Sequence, residues 1–187
     1  MIDETASGQA VADLTRAWVE RAVIGLNLCP FAKAVQAKGQ VRYAVTDAQD
    51  LETLAADLQA ELLALADADP AQRDTTLLIH PGVLHDFIEY NDFLDVADAG
   101  LETLELDGII QIASFHPDYQ FAGSGPDDIE NYTNRSPYPI LHLLREDSIE
   151  RAVAAFPDAS NIYERNMDTL RRLGLSGWQK LDLIPRK

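Results

Sequence analysis

A single cysteine, Cys29, is all the thiol that 187 residues carry. An internal disulfide framework is therefore excluded, and the composition suits a reducing cytosol, so a cytoplasmic protein is expected. Basic residues are scarce as well: 15 Lys and Arg stand against 31 Asp and Glu, for a formal charge of −16. Such an average field repels nucleic-acid backbones and anionic membrane surfaces, so neither is an expected partner, although a local cation could still hold a small anion. Long apolar runs are missing. Runs such as those at 77–79 and around 109–113 fall far short of a membrane span. The N-terminal MIDETASGQ lacks the basic and apolar regions of a secretory signal, and no solenoid repeat or low-complexity tract occurs. Nor are there HxH, HExxH or CxxC spacings, so any metal site would have to be assembled from scattered side chains.

What is present is enough for a core. With 47% hydrophobic residues over this length, one globular domain spanning 1–187 is expected. Val11, Leu14, Trp18 and Ala22 recur at helical spacing, which predicts a helix over 8–25. Pro30 and Gly39 bracket a short helix over 30–38, with Cys29 at or near its N-cap. VRYAV at 41–45 reads as a strand. Thr46 with Gln49 resembles a capping box for a helix whose stripe is Leu51, Leu54, Leu58, Leu62 and Leu65. TTLLI at 75–79 is a second strand, and Phe87 to Leu104 keep helical spacing although Gly100 weakens the element. Residues 108–115 and 139–144 read as two more strands. Asp147 with Glu150, and Asn161 with Glu164, then look like capping boxes of two helices ended by Pro157 and Gly174. The order α, α, β, α, β, α, β, loop, β, α, α predicts an α/β, or loosely α+β, fold. Its sheet of about four strands should be mostly parallel, with the first three adjacent and the fourth returning beside the third.

Two of those strands end alike, in TTLLIHPG and QIASFHPD. If they are parallel neighbours, His80 and His116 emerge on one sheet edge, where open α/β sheets commonly bind ligands, and the following prolines fix each at a sharp exit. The bland alternative is that each proline ends its strand and each imidazole caps a backbone group. His142, inside PILHLL, lies on an apolar strand face, the usual place of a satisfied core histidine; near the strand's start it could also reach His116. With Asp118 these histidines form the candidate set for a divalent metal, His80, His116, His142 and Asp118. Cys29 at a helix N-terminus would have its thiol pKa lowered and could act as a nucleophile; otherwise it is a small buried hydrophobe.

Between the last two strands runs a long irregular loop, 117–138, too rich in aromatics and prolines for a linker. Its Arg135 can fork onto a carboxylate or phosphate, Asn131 and Asn134 can donate and accept, and Tyr132 and Tyr138 offer stacking faces. Those five are candidates for holding a small, anionic ligand. Equally, Arg135 could pair with Asp127 or Asp128 and lock the loop shut, since a locked loop and a binding loop need the same residue types.

The segments NLCPFA, TTLLIHPG, ASFHPDYQFAGSGPDDIENYTNRSPYPILHLLRE and ERNMDTLRRLG resemble domain-of-unknown-function family number 1415 over about residues 11–174. The resemblance implies a free-standing single-domain protein. From the residues alone, the leading expectation is a small-molecule enzyme with its pocket at the C-terminal sheet edge. There His80 and His116 would bind metal or move protons, and Cys29 could add a thiolate. The rival expectation is a non-catalytic binding or interaction module built on the same loop.

Overall fold

The computed structural model describes residues 6–156 and 161–185. A first helix, α1 (Ala6–Trp18), runs without a break into a π-helical turn, Val19–Ile24, that together cover the predicted 8–25 segment. Helix α2 (Ala32–Ala37) follows, then β1 (Val41–Val45), α3 (Leu51–Asp67), β2 (Thr75–Ile79), α4 (Phe87–Thr103), β3 (Ile110–Phe115), β4 (Ile140–Arg145), α5 (Glu146–Ala154) and α6 (Ile162–Gln179). The element order is the one the periodicity predicts, and Gly100 sits inside an unbroken α4.

The predicted capping boxes do not form. Helix α3 is capped by Asp50, whose carboxylate accepts from the Thr53 N–H at 2.7 Å, not by Thr46. The Thr46 hydroxyl instead bonds the Asp57 carboxylate and receives the Ala48 N–H. Asp147 lies within α5 and Asn161 precedes α6 without a side-chain cap. Pro157, expected to stop α5, lies outside the described residues. Gly174 does interrupt α6, with φ 62°, but the helix resumes after the kink.

The sheet is mixed, which corrects the mostly parallel expectation. Its strand order is β1-β2-β4-β3, with only β1 and β2 parallel. Strand β4 enters from the long loop and inserts between β2 and β3, antiparallel to both. The reason is local: a loop as long as 117–138 can carry the chain past the β3 edge, so the next strand is free to pair on both sides. Two antiparallel steps still leave β3 pointing the same way as β2, so the ends of both strands reach one sheet edge.

Strand alternation sends side chains to two faces. Ala44, Leu78, Leu141 and Leu143 meet Leu54, Leu58 and Leu62 of α3 and Phe93 and Ala97 of α4 in one core. Glu61, buried on α3, is paired by Arg42 at 2.9 Å and by Arg73, which satisfies a charge that would otherwise be costly. Leu77, Ile79 and Ile140 face the other way and pack with Trp18, Val19 and Ala22. Helix α5 flanks this second face without burying any residue fully, and the layer there is incomplete.

Candidate functional site

His80 and His116 do leave the same edge, and they are not neighbours. Ile140 of β4 sits in register between Ile79 and Phe115, so the two exits stand about 10 Å apart, two strand spacings. Both imidazoles turn to the α3/α4 face, and Tyr90 of α4 lies between them, its ring centroid 5.9 Å from that of His80 and 5.0 Å from that of His116. Each histidine holds the turn that follows β2. His80 Nδ1 lies 3.3 Å from the Val83 carbonyl, and His116 Nε2 lies 3.0 Å from the Leu84 carbonyl. That turn needs holding because Leu84 adopts φ 57°, a left-handed conformation that disfavours a branched side chain.

Hydrogen bonding fixes the state of His116. Its Nδ1 accepts the Asp118 N–H at 3.0 Å, so Nε2 carries the proton donated to Leu84. Both nitrogens are therefore spent inside the protein. Burial lowers the His80 pKa to about 3 and also lowers that of His116, where the Leu84 carbonyl and the Asp118 and Asp86 charges partly offset the effect. Tyr90 completes the cluster. Its hydroxyl donates to the Ile140 carbonyl at 2.8 Å and accepts the Phe115 N–H at 3.1 Å, tying the ends of β3 and β4 together. Sequence reasoning placed Tyr90 only on a helix stripe; the single signal for its role was a hydroxyl at an otherwise apolar core position.

The candidate recognition residues of the loop turn inward. Arg135 donates to the carbonyls of Tyr119 at 3.2 Å and Pro126 at 2.6 Å, and its guanidinium lies 4.5 Å from the centre of the Tyr132 ring. It clasps the loop through backbone oxygens, not through Asp127 or Asp128. Asn131 is fully buried: its side-chain oxygen receives the Phe121 N–H and the Ser124 hydroxyl, and its amide donates to Gly125. Asn134 donates to the Ser114 carbonyl, Tyr132 packs edge-on against Trp178 of α6, and Tyr138 joins the second core. A 3₁₀ turn, Ile129–Thr133, and the Glu130–Arg171 pair at 2.7 Å fasten the loop to α6. Loop 117–138 is thus organised by the groups that were expected to face a ligand.

His142 is on the opposite side of the sheet. In β4 it alternates with Leu141 and Leu143, so it shares a face with Leu77 and Ala113, its register partners, and lies 5.9 Å from the Phe115 ring. The sheet itself separates it from His80 and His116. The proposed metal set of His80, His116, His142 and Asp118 is corrected accordingly: among the described residues no three His, Cys, Asp or Glu side chains converge, and Asp118 meets His116 through its backbone.

The incomplete layer around His142 is a cavity of about 550 Å³. Its floor is the sheet face, with Thr75, Leu77, Ala113, Phe115 and His142. One wall is Trp18, Val19 and Val23 with the 29–35 segment, and the other is Ile149, Ala152 and Phe156 at α5. Cys29 lines the same space. It sits just before the short helix as expected, where the nearby N–H groups of Phe31 and Ala32 act to lower the thiol pKa, yet burial outweighs them and pushes it up. The expected lowering is reversed because the groups around the sulfur are mostly apolar. His142, desolvated at the cavity floor, has its pKa lowered to about 4 and is neutral at pH 7.

No helix among the described residues is long and apolar enough to cross a membrane. No curated protein and no solved structure matches the chain. A family described as "Protein of unknown function (DUF1415)" matches residues 10–180, nearly the whole length, and the chain belongs to that family.

Proposed function

We propose that this protein binds a small, largely apolar molecule in the cavity between the sheet, the α1–α2 segment and α5. The observation that carries the reading is the cavity: about 550 Å³, in the range of small-molecule sites, lined mostly by aliphatic and aromatic side chains, with His142, Cys29 and Thr75 and, towards α5 and the sheet edge, Asp74, Gln111, Arg145 and Ser148 among them. A gap of that size in a core costs dispersion contacts, so a chain that keeps one gains most if something fills it. The rival position, the edge with His80 and His116, has less in its favour. Both nitrogens of His116, the Asn131 side chain, the Asn134 amide nitrogen and the Nε and Nη2 of Arg135 are already bonded within the protein, and the one unpartnered histidine nitrogen at that edge, His80 Nε2, is fully buried. Binding without turnover is therefore favoured over catalysis. The thiol of Cys29, pushed up by burial, is a poor nucleophile at neutral pH.

The test is saturable uptake of a neutral apolar dye. Nile red should bind the purified chain one to one with a blue-shifted emission, and Trp18, which lines the cavity, should act as energy donor. Ala113→Phe and Ala152→Trp, which fill the cavity from the sheet and from α5, should abolish uptake while the circular dichroism and melting transition are retained. Absence of saturable binding, or binding that neither substitution touches, would rule the cavity out as the site.

A further inference from the structure

One side chain fixes the chemistry that the cavity can accept, and the consequence rests on the cavity being the binding site. The Thr75 hydroxyl lies 2.6 Å from the Leu143 carbonyl, an oxygen that can only accept, so the single hydroxyl proton points there. Thr75 Oγ1 also lies 2.8 Å from His142 Nε2. With its proton already used, the oxygen can meet the imidazole only as an acceptor, so Nε2 carries the hydrogen. In a neutral ring Nδ1 is then a bare lone pair. That nitrogen makes no hydrogen bond to any described residue, and His142 keeps accessible surface although it lies mid-strand in a central strand, because its ring faces the cavity.

Apart from Gln111, whose exposed amide stands at the rim and can both donate and accept, and the Cys29 thiol, the other polar side chains of the lining are occupied. The Asp74 carboxylate takes the Ser148 hydroxyl at 2.6 Å, and Ser148 takes Arg151 at 2.9 Å. The Arg145 guanidinium is spent on the Leu65 and Ala68 carbonyls beyond the other face of the sheet, at 2.5 and 2.6 Å. The lining's own cation, Arg145, is thus not free to receive an anionic head group, while an acceptor waits on the floor. We infer that the ligand is a neutral apolar molecule bearing a hydroxyl or N–H donor, which it gives to His142 Nδ1, and that carboxylates and phosphates are excluded. This replaces the anionic ligand expected from Arg135 with one of opposite hydrogen-bonding sense.

Three naphthalenes of nearly equal shape separate the possibilities: 2-naphthol offers a donor, 2-methoxynaphthalene only an acceptor, and 2-naphthoate an anion. In competition with Nile red on the full chain at pH 7.5, 2-naphthol should displace the dye at concentrations lower than the ether by on the order of tenfold, the ratio expected when a buried acceptor is left unpaired. 2-Naphthoate should be the weakest. In His142→Phe, with the dye affinity measured afresh, the ratio of the naphthol and ether displacement concentrations should fall to about one. Nitrogen-15 shifts of His142 in the unliganded wild-type chain give a readout that needs no variant, and they should report the Nε2–H tautomer at pH 7.5. Equal displacement by the ether, preference for the naphthoate, a preference that survives in His142→Phe, or an Nδ1–H tautomer would each overturn the inference. Dye binding with any of those outcomes removes only this inference; no binding of dye or naphthalene removes the cavity reading with it.

Discussion

Lowering the pH from 7 to 5 should destabilise this protein far more than its surface carboxylates can explain. His80 and His142 are held neutral by burial, with folded pKa values of about 3 and about 4 against 6.5 for an unperturbed imidazole. Because the folded values lie below the unfolded one, the unfolded chain takes up protons first as the pH falls. The stability tied to each ring is complete above about pH 6.5 and is lost as the pH drops toward the folded value. At pH 5 each ring costs the fold 1.5 pH units of linkage, roughly 2 kcal/mol, so the pair removes roughly 4 kcal/mol from a total that for a domain is typically 5–15. His116 adds in the same sense. Asp50 and Glu130, whose folded pKa values are also lowered, act only below their ordinary ranges near 3.8 and 4.5 and leave this window to the histidines.

Urea unfolding followed by tryptophan fluorescence measures this directly. With a slope near the upper end of 1–3 kcal/mol/M, the midpoint should fall by about 1.5 M between pH 7 and pH 5. His142→Phe and His80→Phe should each recover roughly half of that difference, whatever their effect on stability at pH 7, because each removes one titrating ring. A midpoint that hardly moves, or a pH dependence untouched in both variants, would show that the rings are reached by water and protonate in the native state. The carbon-bound proton resonances of His80 and His142 should correspondingly stay unshifted from pH 8 to pH 5.

Three further outcomes are expected. Tyr90→Phe orphans the Ile140 carbonyl and the Phe115 N–H together and should cost about 1–3 kcal/mol by chemical denaturation, with hydrogen exchange of Phe115 accelerated; a neutral effect would remove Tyr90 from its bridging role. Arg135→Ala frees the Tyr119 and Pro126 carbonyls, so limited proteolysis should begin cutting within 117–138 and stability should fall by about 1.5–3 kcal/mol, while Nile red uptake is unchanged; loss of uptake without loss of stability would return the loop to a binding role. Cys29, with its thiol pushed up, should react with iodoacetamide at pH 7 more slowly than a free thiol, and a cavity ligand should slow it further; fast labelling would mean that the sulfur is ionised.

Most elements were readable because each has its own period. The leucine stripe of α3 and the β-branched runs of β1 and β2 announce themselves within a dozen residues. Strand pairing has no such local signature: the sequence of β4 is equally compatible with lying beside β3 alone or between β3 and β2. What decides is the reach of loop 117–138, and the residues that fix its course, such as Asn131 and Arg135, do so through partners 6–16 residues away and carry no periodic signal of the path. Caps failed for a related reason. Thr46 and Asn161 carry the right side chains for capping, but Thr46 is drawn to Asp57, a partner eleven residues away. Asp50, four residues further on, takes the helix end instead.

The histidines show where residue-type reasoning inverts. Paired HisPro motifs looked like a shared site, and a histidine on an apolar strand face looked like core. Yet a strand exit at the edge of a packed layer is a place where backbone carbonyls need donors, and the turn 81–86, strained at Leu84, supplies two of them to His80 and His116. The motif is doubled because the structural need is doubled. His142 stands on a face that would be ordinary core if α5 closed over it with larger residues. Ala152 and Ala155 do not fill the space, and Ala113 opposite leaves the floor open, so the imidazole lines a cavity. Small residues on two separate elements, Ala113 on an edge strand and Ala152 and Ala155 at the end of α5, become a pocket only when the fold sets them across from each other. Neither segment alone carries that information, which is why the polar loop drew the attention and the alanines did not.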